Sequence, residues 1–233
     1  MMRPPPGFVL APAALAAALL LPPAPASAQA RRTSFPRVEV GGGGGVAGAV
    51  SLGARDANLL TNNAAGSPFR LFATATRLQP AAVVEVRLGY RATPRLTTEG
   101  RLTVGRPSLR VSLSADAENA APVEAASTLT EYVIEGGATW RLAGDQRRWI
   151  PFASGGAGMA RHVYDGRTLA ETAVSGYAGA GTLYALGSAR VPAGARRSGL
   201  RFDVRLHVMH GGLAEDAGLA SRVAATASIF LAF

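Results

Sequence analysis

Residues 221–233 alternate in polarity with a period of two and end on Phe233. Val223, Ala225, Ala227, Ile229, Leu231 and Phe233 share one face; Arg222, Ala224, Thr226 and Ser228 share the other. Only a strand sends successive side chains to opposite faces, because a helix would repeat near 3.6 residues. The same alternation returns along most of the chain. No stretch beyond the first 30 residues approaches the roughly 18 to 20 apolar residues that a membrane helix needs. With 48% hydrophobic and only 17% charged residues, the chain must therefore cover its apolar surface strand by strand.

The N-terminus has a different pattern. Arg3 precedes an apolar run from Phe8 to Leu21, followed by Pro22-Pro23 and by small-residue sites ending at Ala28 and Ala30. The run is shorter than a membrane span and Pro12 interrupts it, so residues 1–30 are expected to be a cleaved signal peptide, cut after Ala28 or Ala30, with residues 31–233 as one domain. The absence of cysteine fits an oxidising compartment. The formal charge is +9 and every basic residue is arginine, but no basic run is interleaved with aromatics, which argues against nucleic acid as a partner.

From Pro36 the chain divides into eight alternating segments joined by turn-rich pieces that are alternately long and short, as at the two ends of a barrel. The first, about 36–54, puts Val38, Val40, Val46, Val50 and Leu52 outward, and Gly41 to Gly45 are read as strand rather than linker. A long polar loop is expected over 54–80, with 69–76 extending the next strand. Strand two, about 82–92, carries Val84, Val86, Leu88 and Tyr90 outward; strand three carries Leu102 and Val104. At Arg106-Pro107 the pattern predicts a phase reset that turns Leu109, Val111 and Leu113 outward, as at a β-bulge. Strand four turns Tyr132, Ile134, Ala138, Trp140 and Leu142 outward; strand five, 149–164, turns Ile150 and Phe152 outward; strand six covers about 173–186. Strand seven has Leu200, Phe202, Val204, Leu206 and Val208 outward, and 221–233 closes the set.

With the chain ends placed at the periplasmic side, Phe35, Tyr90, Trp140, Trp149, Tyr184 and Phe202 fall near one level with Phe233, while Tyr132 and Tyr164 mark the opposite rim. That is the arrangement of an interfacial aromatic girdle. The eight residues from Tyr132 to Trp140 span roughly 20 Å at ~3.3 Å rise and ~40° tilt, close to the ~25 Å apolar band of such a barrel.

The inward face collects Glu39, Glu85, Arg87, Glu99, Arg101, Glu135, Arg141, Arg161, Arg201, Asp203, Arg205 and Arg222. Eight strands leave an interior just wide enough for side chains, so these groups are expected to interlock as a lumen ion-pair network rather than line an open pore.

Together the signal peptide, eight dyad strands, charged interior and terminal Phe233 resemble the small outer-membrane barrels of the OmpA/OmpX type, over about residues 35–233. The resemblance implies an all-β, eight-stranded antiparallel up-and-down transmembrane β-barrel in the bacterial outer membrane. It also implies contact with outer-membrane lipid and lipopolysaccharide, and recognition of Phe233 by the barrel-assembly machinery. Some barrels of this size are lipid-A deacylases with a His, a Ser and an acid on the outer face, and this chain departs from that pattern. His207 and His210 have no serine two residues on, and His162 precedes Val163 and Tyr164; it is read as a polar group at the rim. A spacing of three puts His207 and His210 on opposite faces of a strand, so they cannot form a zinc pair. Gly155-Gly-Ala-Gly158 lies within a strand with no helix to follow, unlike a phosphate loop. No catalytic residue, metal or cofactor is assigned. The expected function is a non-enzymatic envelope barrel with a plugged lumen; a narrow passive channel is the alternative, and a lipid-modifying enzyme ranks below it. The acidic segments 116–124 and Glu215-Asp216 offer a surface for an extracellular partner.

Overall fold

The computed structural model describes residues 36–59, 69–118, 120–144, 147–166, 169–186, 197–213 and 218–233; the expected signal peptide, Phe35 and Glu215-Asp216 lie outside them. The described residues form eleven strands: β1 (Val38–Ala47), β2 (Val50–Leu59), β3 (Phe69–Leu78), β4 (Ala81–Arg91), β5 (Leu96–Gly105), β6 (Ser108–Ser114), β7 (Val123–Arg141), β8 (Trp149–Tyr164), β9 (Ala170–Leu186), β10 (Arg197–Gly211) and β11 (Leu219–Ala232). Eight of them close a ring of antiparallel pairs in the order β1-β4-β5-β7-β8-β9-β10-β11, with β11 paired back to β1. The molecule is therefore an eight-stranded transmembrane β-barrel, and the closing strand has the face division read from its sequence. Val223, Ile229, Leu231 and Phe233 are exposed, whereas Arg222, Ala224, Thr226 and Ser228 are buried.

The seam is held at both chain ends. Phe233 accepts backbone hydrogen bonds from Arg37 and Val38 and donates one to the Val38 carbonyl at 2.8 Å. Gly41 to Gly45 are part of β1 and run beside β11. A Cβ at Gly43 or Gly45 would collide with the carbonyl oxygens of Ala227 and Ala225, so the strands meet here only because these positions lack side chains.

The other three strands are continuations. β2 follows β1 after Gly48-Ala49, β3 precedes β4 before Gln79-Pro80, and β6 follows β5 after Arg106-Pro107. Proline cannot donate to a ladder, so Pro80 and Pro107 sit where the long strands are interrupted. β2, β3, β6 and residues 123–128 of β7 form a four-stranded extension beyond the ring. The extension expected over 69–76 is β3, but 54–59, expected to be loop, continue β2, and the acidic segment 116–124 ends inside β7. Both errors have the same cause. A strand with water on both faces has no reason to alternate, and 53–59 and 123–128 do not.

Six residues have the reverse of their expected orientation. Val50, Leu52, Leu109, Ile150 and Phe152 are buried inside, and Arg161 is exposed. No phase reset occurs at Pro107, because Glu99, Arg101, Gly105, Pro107 and Leu109 are all buried on one face. The polarity of that face changes instead. Val50, Leu52, Leu78, Leu109, Leu129, Val133 and Met209 form an apolar cluster at the extension end, with Tyr164 turned towards it rather than out to a rim. Ile150, Phe152, Leu183 and Phe230 form a second cluster at the end where the chain terminates. Charged residues fill the space between.

Candidate functional site

The site is the charged middle of the lumen, and period-two geometry builds it. β4 presents Glu85, Arg87 and Arg91 inward, β5 Glu99 and Arg101, β10 Arg201, Asp203, Arg205 and His207; each set is spaced by two or four and lies on one face. All are at most 5% exposed.

The contacts cross the lumen as well as follow the wall. Glu39 on β1 accepts from Arg87 at 2.6 Å and from Arg141 on β7 at 2.8 Å. Glu99 on β5 accepts from Arg101 at 2.7 Å and from Arg201 at 3.0 Å. Arg201 lies on β10, which stands opposite β5 in the ring. Asp203 accepts from Arg201 at 2.9 Å and from Arg101 at 3.4 Å, and Glu85 accepts from Arg205. Glu131 on β7 accepts from Arg222 at 2.8 Å, and Arg222 belongs to β11, again the strand opposite. His162 Nε2 stands 3.0 Å from the other oxygen of Glu131. Glu135 lies 3.0 Å from His207 Nδ1 and 3.6 Å from Arg205. Carboxylates and guanidiniums therefore alternate across the axis, and the fork of arginine lets one residue hold two partners.

Aromatic rings complete the fill. The Arg201 guanidinium lies 4.2 Å from the centre of the Phe152 ring, so Phe152 joins the charged layer to the apolar cluster beneath it. Tyr177 on β9 is buried with Arg101 at 5.5 Å from its ring and His207 at 6.0 Å, ring to ring. Gly137 and Gly156 make room for it, since a Cβ at either position would collide with the Tyr177 ring or hydroxyl. Two of the cavities among the described residues lie along the lumen. One is between Glu39, Arg91, Arg141 and Phe230, the other between Arg205, His207, Arg222 and Ala224, each of about 10 Å³. That is room for about one water.

Of the expected lumen residues, Glu39, Glu85, Arg87, Glu99, Arg101, Glu135, Arg141, Arg201, Asp203, Arg205 and Arg222 are brought together, and Arg161 is not. Sequence reading missed Glu131, His162 and Tyr177. Glu131 was within reach, since it lies two dyads from Glu135 on the same face. His162 was lost with the reversed phase of β8: it is 3% exposed and faces the lumen against Glu131. On the outer wall, Tyr90, Trp140, Trp149, Phe202 and Phe233 are exposed at the terminal end and Tyr132 is exposed towards the other. Tyr184 is half-buried, its ring 4.7 Å from that of Trp149.

No family model matches the sequence, and no curated protein does. Solved structures do match. The crystal structure of Neisserial surface protein A (NspA) aligns with a TM-score of 0.51 and 11% identity, over 84% of this chain and 96% of that one. The outer membrane protein OprG from Pseudomonas aeruginosa aligns with a TM-score of 0.45 and 9% identity, over 86% and 98%. The N-terminal β-barrel domain of OprF from the same organism aligns at 0.39 and 13%, over 85% and 98%. At this identity the likeness to NspA is one of fold.

Proposed function

We propose that this chain is a non-enzymatic outer-membrane barrel with a lumen closed by its own charges, serving envelope structure or contacts at the cell surface. The observation that carries the reading is the pairing of opposite strands: Glu99 with Arg201 and Glu131 with Arg222 cross the full width of the ring. A lumen built to conduct would keep such groups apart along its wall. The outer face supports the location, because Val84, Val86, Leu88, Ile134, Val204 and Ile229 are exposed where only hydrocarbon suits them. In this reading residues 1–30 direct export and are removed, and Phe233, exposed at the end of the closing seam, serves as the signal for barrel assembly.

Cell fractionation tests the location: the protein is expected in the outer membrane, migrating faster unheated than boiled. Planar-bilayer recordings test the plug. The unmodified barrel is expected to be silent, and Glu135→Ala, which strips a carboxylate from beside Arg101 and Arg205, to leak with anion preference. Large, stable single-channel currents from the unmodified protein would replace this reading with that of a passive channel.

A further inference from the structure

Outside the lumen, arginines stand on the outer wall where the apolar band stops. The exposed apolar side chains run from Tyr90 to Val84 on β4 and from Trp149 to Met159 on β8. Arg77 lies thirteen residues beyond Tyr90, and Arg161 twelve beyond Trp149. At ~3.3 Å rise and ~40° tilt these are heights of roughly 30 Å, just past the ~25 Å of hydrocarbon and level with lipid headgroups. Sequence reading placed Arg161 in the lumen and gave Arg77 no role.

Arg77 on β3 is directly opposite Arg110 on β6. Both are exposed, and both face away from the buried pair Leu78 and Leu109 beside them. Directly opposed residues hold their Cβ atoms about 4.5 to 5.5 Å apart, and like charges so placed destabilise a sheet. The carboxylate beside them is Glu124, 3.5 Å from Arg110, with both side chains more than half exposed. Among the described residues, Arg77 has no carboxylate within ion-pair distance. Ser108 and Thr128, paired with each other two residues nearer the apolar band, add hydroxyls. Two cations held together at headgroup height, against their own repulsion, suit an anion with several oxygens.

We propose that Arg77 and Arg110 bind a phosphate group carried by a lipid of the leaflet at the extension end. The inference rests on the outer-membrane reading above. Each guanidinium offers a planar fork to phosphate oxygens, so a single phosphate can bridge the two strands and cancel the repulsion between them.

The test uses the full barrel, wild type and R77Q/R110Q, refolded into phosphatidylcholine vesicles containing either bisphosphorylated lipid A or its dephosphorylated form. Lipid retained after extraction in a non-ionic detergent is measured by mass spectrometry. The wild type is expected to retain the phosphorylated lipid about tenfold more than the double variant does, with no difference between the two proteins for the dephosphorylated lipid. Arg95→Gln, exposed in the β4–β5 turn at the other end, should behave as wild type. The unfolding midpoint of R77Q/R110Q in plain phosphatidylcholine should be no lower than that of the wild type, because the change removes a repulsion; a merely structural role would lower it. Equal retention by wild type and double variant, or equal retention of both lipids by the wild type, overturns the proposal. The single variant R77Q serves the same comparison if the double variant fails to refold. Release of the lipid by millimolar inorganic phosphate would assign the site to free anions instead. A wild type that inserts and is heat-modifiable but ignores the phosphates refutes this inference alone, whereas one that never inserts refutes the membrane reading too.

Discussion

The middle of the lumen and its extension end are built on the same strands, by the same alternation, yet one is filled with charge and the other with hydrocarbon. β5 and β6 carry the contrast on one face, with Glu99 and Arg101 in the network and Leu109 in the apolar cluster. β7 repeats it less cleanly, with Glu135 in the network, Val133 and Leu129 in the apolar cluster, and Glu131 between them. The two regions solve different problems. The middle lies level with hydrocarbon outside and needs no apolar core there, because the lipid already covers the outer wall; its inward groups only have to satisfy one another. The extension end carries the strands out past the hydrocarbon into water, where a conventional apolar core is what holds β2, β3 and β6 to the ring.

The sharpest way to break this comparison is to remove one partner from each region. Glu99 is contacted by Arg87, Arg101 and Arg201. Glu99→Ala takes a shared carboxylate from three guanidiniums and leaves the network with excess buried positive charge, and truncating one side of a buried ion network costs about 3 to 5 kcal/mol. Leu129 is 0% exposed within the apolar cluster, and Leu129→Ala removes only transfer and packing energy, for which about 3 kcal/mol is typical. Urea titrations of both variants in lipid vesicles should rank Glu99→Ala as the less stable. The conductance of the two should differ as well, since only the first unbalances charge in the lumen. If Leu129→Ala proves the worse, the cluster at the extension end, rather than the network, holds the barrel shut.

Legibility followed the same division. Where lipid lies outside and charge inside, as on β4, β10 and β11, the alternation is unambiguous, and Val86, Arg87, Leu206 and His207 all have the orientations their sequence implies. Where the inward face is apolar, the rule that apolar means outward inverts: Ile150 and Phe152 on β8 read as lipid-facing, which carried Arg161 inward and His162 out of the network with them. The interior layering is a property of the ring, set by what lies at the same height on seven other strands, and no single strand contains it. Most of the extension was illegible for a third reason. Its outer half is solvated on both faces, so 53–59 and 123–128 carry no period; Pro80 read as the end of a loop and Pro107 as a bulge, whereas 69–76 was already legible as strand.

The smallest expected effect sharpens the comparison from the side of the extension. Asp56 and Arg70 form an ion pair at 2.7 Å between β2 and β3, a shorter contact than several in the lumen, but their side chains are 47% and 50% exposed. Distance alone would make the pair equal to Glu39 with Arg87 at 2.6 Å, where both side chains are nearly inaccessible. Environment decides otherwise. Water screens each partner in the extension and resolvates whichever is left behind, so exposed pairs contribute only about 0.2 to 1 kcal/mol. Asp56→Ala should therefore lower stability by less than 1 kcal/mol and lose even that at high salt, while Glu39→Ala, which leaves Arg87 and Arg141 buried without it, should cost several times more and respond little to salt. Parallel urea titrations in vesicles at low and high ionic strength check both. A large, salt-insensitive loss for Asp56→Ala would mean that the extension is shielded from water by another part of the envelope, and that the two regions differ less than their exposures imply.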